Sequence, residues 1–403
     1  MPTVLELRES ENRSPNPQLG RHKMPVWAGR VIFWSLAIFA ALNLLLWNVD
    51  KDKKSNDVWK GTGSIDLAVN GLRALPGKPG TVLLGSSLIM YPFWTMDRDR
   101  YGAIPDILHH HDSLVLQQEL KNAGFANPSV YSLAVFGQMV SDSYIYVNEY
   151  LKGDKKPEYL IYGIAPRDFN DSDLSGPMST NTFKRLIGLD NFASYANLYL
   201  PGLQDKVDFV AAHVCFFYSK RQRIQHEFDK GIIKAYKALG LEPPPRSAGG
   251  QDGQAGFMLS GSKDERWANS ETEAARRYKN IAERDLGVQT GFLSRLLDVC
   301  QDRGIKVVVV NMPLSVDNRN LLPAGFYNTF RQKLQGLSDR KGVKLVDLGQ
   351  SNDFVNSDFW DTVHLEHSGG YKLLKHVLPA LNELRSDNAA SSPAAQRRTA
   401  SVN

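Results

Sequence analysis

The strongest hydrophobic signal in the chain is one unbroken run: residues 31–47 read VIFWSLAIFAALNLLLW, without a charge. Joined to residues 26–29 across Arg30 it reaches about 20 residues, the length a helix needs to cross roughly 30 Å of hydrocarbon. Trp27 and Trp47 stand at its ends, where interfacial aromatics belong, and Arg30 is close enough to one end to snorkel. The run exceeds the apolar region of a cleaved signal peptide, and no small-x-small cleavage site follows it. The pattern therefore predicts a membrane-spanning helix over residues 26–48, behind a tail of residues 1–25, with the lipid bilayer as a partner. Arg13, Arg21, Lys23 and Arg30 on one side are matched by Lys51, Lys53, Lys54 and Lys60 on the other, so flanking charge sets no orientation. A short tail before the helix and a long domain after it fit a signal anchor in the cell membrane, single-pass, with the C-terminal domain periplasmic or extracellular.

Residues 49–80 are polar and punctuated by Gly and Pro, with a short helical stretch around 65–75, and read as a stalk. Five short runs rich in β-branched or apolar residues follow, at 81–84, 129–133, 159–164, 306–311 and 343–348. Helical patterns separate most of them, such as LVLQQELKNA at 114–123 and TGFLSRLLDVCQ at 290–301. This alternation implies right-handed crossovers and a parallel sheet covered on both faces, and five strands fit a flavodoxin-like, doubly wound α/β core over residues 81–385. Roughly 130 residues, 171–301, separate the third strand from the fourth, too many for one crossover helix. With a helical stretch at 221–239 and a polar PPPRSAGGQDGQAG loop at 243–256, they predict a helical insertion that caps one edge of the sheet and roofs the site. Residues 386–403, Ala/Ser-rich and polar, predict a disordered tail.

Composition narrows the function classes. The chain of 403 residues is 42% hydrophobic, enough for a full core. Lys+Arg 48 against Asp+Glu 43 leave a net charge of +5, with no basic stripe interleaved with aromatics, so no nucleic acid is indicated. Cys215 and Cys300 form no CxxC or Cys/His cluster, which excludes a zinc finger and a disulfide scaffold; two buried thiols and one bridge both fit. His109, His110 and His111, followed by Asp112, invite a metal reading, but consecutive side chains on a helix fan over about 200° and do not converge on one ion. No metal and no organic cofactor is implied. The basic stretch at 220–223 reads as a solvated helix face or, near a membrane, a lipid-binding patch.

The chemistry sits at strand ends. The first strand runs into TVLLGSSLI, which puts Gly85, Ser86 and Ser87 at its C-terminal end, where open α/β sheets place their sites. A serine at the following helix N-terminus has its own N–H and the helix dipole available to stabilise an oxyanion. Taken alone, Gly-Ser-Ser is equally a strand-to-helix cap. After the fifth strand comes FWDTVHLEHSGGYKLL, with Asp361 three residues before His364. A serine nucleophile needs a base, and the base needs a carboxylate to fix its tautomer. Alone, Asp361 is as readily a helix cap. Together the two motifs follow predicted parallel strands on one edge of the sheet. There is no GxSxG elbow, and residues 80–87 have the glycine spacing of a P-loop without its lysine.

These residues resemble the SGNH/GDSL hydrolase superfamily, whose blocks are a GDS-type motif on the first strand, a glycine block, a GxND block and a C-terminal DxxH. Gly85-Ser86-Ser87-Leu88 matches the first block with Ser in place of Asp, which makes Ser87 the nucleophile. Asp361 and His364 match the last, and VYSLAVFGQMVSDS at 130–143 is similar to the glycine block, with Gly137 as an oxyanion donor beside the Ser87 N–H. The third block departs: the strand ends YGIAPRDFND, the family's oxyanion asparagine falls on Ala165, and Arg167 or Asn170 are the substrate-pocket groups within reach. The serine variant and the anchor are similar to a membrane-tethered branch that includes the D-alanyl transfer protein and partners of membrane-bound O-acyltransferases.

The expectation is a membrane-anchored serine esterase or O-acyltransferase that acts on an acylated cell-envelope molecule, small or polysaccharide, through an acyl-Ser87 intermediate. A membrane-bound O-acyltransferase is an implied partner. The alternative is a non-catalytic binding or scaffold subunit of an envelope polysaccharide system, which Ala165 suggests.

Overall fold

The computed structural model describes residues 26–51, 63–239, 261–279, 281 and 283–390. The tail 1–25, the link 52–62, the loop 243–256 and residues 391–403 lie outside the described residues.

The first helix, α1 (Val26–Lys51), carries the apolar run, and its Gly29–Asn48 stretch is long and apolar enough to cross a membrane. Phe33, Trp34, Leu36 and Leu44 on it are each more than half exposed, so the domain does not bury it as a core helix. Next comes α2 (Gly63–Ala74), which corrects the expected stalk. Ile65, Ala68, Val69 and Leu72 recur at i, i+3, i+4 and i+7, forming one apolar stripe, and all four are buried in the main core. The helix is part of the domain because that stripe has a sheet face to cover.

The core then alternates: β1 (Thr81–Gly85), α3 (Ser87–Tyr101), α4 (Leu114–Asn122), β2 (Val130–Ser132), α5 (Val140–Tyr150) and β3 (Tyr159–Ile164). The inserted segment supplies α6 (Asn181–Leu186), α7 (Phe192–Tyr199), α8 (Leu203–Val214), α9 (Phe216–Ser219), α10 (Arg221–Ala238) and α11 (Lys263–Arg277). The chain closes with α12 (Glu283–Asp302), β4 (Lys306–Asn311), α13 (Val316–Asn320), α14 (Phe326–Ser338), β5 (Val343–Asp347) and α15 (His367–Ala390). All five strands are parallel, in the order β2-β1-β3-β4-β5, the doubly wound arrangement expected of this alternation.

Period-two alternation divides the strand side chains between two cores. Val82, Leu84, Leu160, Tyr162, Val307 and Val309 face α2, α5, α12 and α14. Leu83, Ile161, Val308 and Val310 face α3, α4 and α15. The insertion differs from the expected cap in two ways. Its last part, α12, is the crossover helix into β4, with Leu293, Leu296, Leu297 and Cys300 fully covered, and Phe183, Tyr195 and Tyr199 of α6 and α7 extend the same core. Apolar surface at that density packs onto the sheet instead of standing over it. The terminal helix also runs on through residues 386–390, into the stretch expected to be a disordered tail, and the Ser386 hydroxyl donates to the Asn382 carbonyl there. Cys215 and Cys300 are both free thiols, which removes the bridge.

If α2 is a core element, Leu72→Ala should cost about 2–5 kcal/mol through lost burial and a residual cavity. Urea unfolding of the detergent-solubilised chain measures this, and an unchanged midpoint would return α2 to a stalk.

Candidate active site

At the end of β1, Gly85 takes φ +131°, and a Cβ there would lie 2.2 Å from the Gly163 carbonyl oxygen on β3. Only glycine leaves the sheet this closely and in this conformation. Ser86 becomes the N-cap of α3 in extended conformation, and Ser87 its first helical residue. The two serines then diverge. Ser86 is fully buried with its hydroxyl in no ordinary hydrogen bond, turned toward Asp168, where it helps lower that carboxyl's pKa. Ser87 Oγ lies 2.8 Å from His364 Nε2.

His364 reaches Ser87 from the loop between β5 and α15. Its Nδ1–H donates to Asp361 Oδ2 at 2.7 Å, which leaves Nε2 to accept the Ser87 hydroxyl proton. Asp361 Oδ1 accepts the N–H groups of Val363 and His364, both at 2.9 Å. Burial by itself would raise the Asp361 pKa, but the electrostatic attraction of His364, its hydrogen bond and the two N–H groups together hold it below the ordinary carboxylate value. The structure thus joins Ser87, His364 and Asp361 in one hydrogen-bonded line, with every member at most 4% exposed.

Two aromatic residues complete the setting, and the sequence reading missed both. Tyr91, four residues beyond Ser87 and so on the same face of α3, stacks on the His364 ring with centroids 4.2 Å apart. Burial, then the Asp361 charge, push its phenol pKa far up, so it stays neutral. Trp360 lies 6.4 Å from Tyr91, and Arg266 of α11 covers its ring at 4.0 Å. Ser270 of α11 and Thr362 also share a hydroxyl–hydroxyl bond of 2.6 Å. The insertion therefore meets the site through α11, against the back of the His364 loop. The 243–256 loop, expected in the roof, lies outside the described residues. Tyr91 was readable from helical spacing; Trp360 and α11 depend on contacts with no local signal.

The glycine block sits in the turn after β2. Gly137 has φ +73°, and the turn is tied down on both sides of it: the Val135 N–H donates to the Gly85 carbonyl at 3.2 Å, and Gln138 Nε2 donates to Ser143 Oγ at 2.9 Å. Asp142 below it accepts from the Met139 N–H and the Thr180 hydroxyl, and burial pushes its pKa up to about 7. Phe136 contacts Tyr91 at 6.3 Å, which sets this turn beside the Ser87–His364 pair.

At the end of β3, Ala165 is fully buried and offers no side-chain donor; its N–H donates to Asp168 Oδ2 at 2.9 Å. Burial pushes Asp168 up to about 6. Arg167 reaches the glycine turn: its Nη2 stands 3.5 Å from where a Gly137 Cβ would be, while Asp168 and Asp171 hold it at 3.8 and 3.7 Å. Asp171 in turn pairs with Arg277 of α11. Asn170 is buried, neither amide atom has a hydrogen-bond partner, and it bonds to none of Ser87, His364 or Gly137. Of the two substrate-pocket expectations, the structure brings only Arg167 to the turn. The three consecutive histidines separate, His109 to Asp106, His110 to Asp97 and His111 to the Ser132 carbonyl, and the described residues hold no metal-binding cluster.

No protein-family model matches the chain, and no curated protein does. Among solved structures, LAE5, an alpha/beta hydrolase enzyme from the metagenome of Lake Arreo, Spain, aligns over 77% of this chain and 97% of its own, at 13% identity and a TM-score of 0.32. That likeness assigns no role to any residue here.

The depressed Asp361 pKa has a consequence for stability. Its ionised form stabilises the fold above the unfolded-state pKa, and that contribution is lost as pH falls through the lower folded value. Asp361→Asn should therefore destabilise most near neutral pH and flatten the loss of stability between neutral pH and the acid side of the ordinary carboxylate range. Urea midpoints at both ends of that window test it; an equal deficit at both would refute the electrostatic account.

Proposed function

We propose that the chain is a membrane-anchored serine esterase or O-acyltransferase of the SGNH/GDSL type, acting on an acylated cell-envelope substrate. The observation that carries this reading is the buried line Ser87–His364–Asp361, with distances of 2.8 and 2.7 Å and a tautomer set for proton abstraction. Its place at the C-terminal edge of a parallel sheet, with the nucleophile at a helix N-terminus, supports it further.

His364 Nε2 takes the Ser87 proton as Oγ attacks the acyl carbonyl, and Asp361 stabilises the imidazolium that results. The Ser87 N–H, free of a helical partner at the first turn, and the Gly137 N–H stabilise the tetrahedral oxyanion. Arg167 beside Gly137 supplies positive charge where the family's asparagine is missing. His364 then protonates the departing alcohol, leaving acyl-Ser87. In the second half, water or a substrate hydroxyl gives its proton to His364 and attacks the acyl carbonyl, and His364 returns that proton to Ser87 Oγ as the acyl–serine bond breaks. Water makes the protein an esterase; a sugar or polyol hydroxyl makes it a transferase. An acceptor in the envelope fits α1 as a signal anchor, with the domain on the outer side of the cell membrane.

Ala165 favours a second reading, a binding or scaffold subunit in which the chemistry has lapsed. Activity on an activated acetate ester separates the two. Ser87→Ala should abolish fluorophosphonate labelling and ester hydrolysis, whereas Ser86→Ala, which removes a buried hydroxyl bonded to no triad member, should slow them by no more than about tenfold. Labelling that survives Ser87→Ala and vanishes with Ser86→Ala would move the nucleophile by one residue; a wild type that never labels would select the scaffold. If Arg167 serves the oxyanion, Arg167→Gln should lower kcat on the order of 10- to 1,000-fold with KM little changed. An increase confined to KM would make it a substrate-binding group instead. Protease added to spheroplasts should digest the domain after Asp50; a protected domain would place it in the cytoplasm and remove envelope substrates.

A further inference from the structure

The proposed chemistry leaves unused a broad apolar surface on the inserted helices. On α8, Leu203, Val207, Val210 and Val214 recur at i, i+4, i+7 and i+11 and all are exposed, Leu203 at 79%. Phe209, on the other side, is the residue this helix buries in the core. On α10, Ile224, Phe228, Ile232 and Tyr236 lie four residues apart, with Leu239 just beyond; all are exposed, Phe228 at 71%. These positions sweep about 120° of the helix, and Lys230, Lys234 and Lys237 project from the opposite side. No described side chain of α10 is buried. A helix this long, with an apolar stripe that no described residue covers, has little source of stability in water beyond its own hydrogen bonds.

What lies beside this surface identifies its occupant. The link between the two inserted helices packs on α1: Phe217 meets Phe39 with centroids 5.6 Å apart, and Phe216 meets Trp47 at 6.4 Å. Asn43, inside the apolar run, donates to the Val214 carbonyl at 2.9 Å and accepts the Phe216 N–H. It thereby satisfies backbone groups on both sides of Cys215, where α8 stops and α9 starts. In water neither group needs such a partner. In hydrocarbon a polar side chain and a broken helix are each costly alone, and pairing them removes both costs. Asn43 is five residues inside the Asn48 end of the span, about 7.5 Å along the helix axis, the depth at which in-plane amphipathic helices lie.

We propose that residues 203–239 form an in-plane membrane element: α8 and α10 press their apolar stripes into the acyl-chain boundary, α9 seals the break against α1, and the basic side of α10 faces lipid headgroups. This rests on reading α1 as a membrane span. Lysines on the polar side and aromatic and aliphatic residues on the other are the composition that binds such an interface.

The full-length chain in nanodiscs tests it. In a Cys215→Ser background, with Cys300 buried and unreactive, an environment-sensitive fluorophore is attached at Phe228→Cys or, separately, at Lys234→Cys. The Phe228 probe should emit to the blue and be quenched at least about threefold more by spin-labelled lipid than the Lys234 probe, with iodide giving the reverse order. Equal iodide access at both positions would overturn the proposal. So would a Phe228 probe shielded in native membranes but open in nanodiscs, because a protein partner would then be the cover. Alkaline carbonate extraction of native membranes separates the two readings. A chain that is washed off loses the anchor and this proposal together; a chain that stays, with an open Phe228 probe, loses only the in-plane element.

Discussion

At Gly85 the backbone leaves the sheet with φ +131° against the Gly163 carbonyl, and the approach of Ser87 to His364 depends on that exit. A side chain here would push β1 from β3 or rotate the next peptide. Either change would disturb the directions that send one hydroxyl toward Asp168 and the other to His364. The constraint is met by deleting a side chain, not by adding a contact. The Val135 N–H bonds to the Gly85 carbonyl, so the same residue also registers the glycine turn that carries Gly137. One strand end thus positions the candidate nucleophile and one candidate oxyanion donor.

The charges around this turn divide by what they are made to do. Asp361 is buried yet stays ionised, because the attraction and hydrogen bond of His364 and two N–H groups outweigh desolvation. Asp142 and Asp168 are just as buried, but their bonds are too few to offset it, and their pKa values rise to about 7 and about 6. A carboxyl that orients a base must be anionic, whereas one that ties down a turn serves in either state. Arg167 reaches Gly137 only because Asp168 and Asp171 hold it from behind, and Arg277 on α11 shares Asp171. The inserted segment therefore touches both halves of the site: the His364 loop through Arg266 and Ser270, the β3 turn through Arg277.

Elements held by local pattern were legible in the sequence. The β3 and β4 strands fall on the residues expected, because uninterrupted β-branched and aromatic runs bounded by turns have few other states. The Ser87 and Asp361–His364 motifs were legible because each follows a strand, and the common direction of parallel strands sends the segments that leave their C-terminal ends to one edge. What escaped was set by distant partners. The stripe on α2 was read as part of a stalk, since nothing near it in sequence announces the sheet face it covers. Trp360 and α11 meet across more than ninety residues through an arginine on an indole ring, a contact without periodicity. The third block failed for another reason: Ala165 breaks the family pattern, and which neighbour stands nearest the gap was decided by the bend of the turn that places Arg167 at Gly137.

The inserted segment also bears on how the domain sits on its anchor. Between α1 and α2 lie residues 52–62, a connection that extended would span about 35–40 Å. The contacts of Asn43, Phe39 and Trp47 with residues 214–217 add a second attachment. Two attachments restrict rotation where one does not. From the second, the chain leads through α10 toward α11, which braces the His364 loop. If α1 spans the membrane, the insertion restricts both the orientation of the edge that carries the candidate site and its distance from the surface. A 130-residue departure from the minimal sheet is then explained by a positional requirement that five strands and their crossovers do not meet.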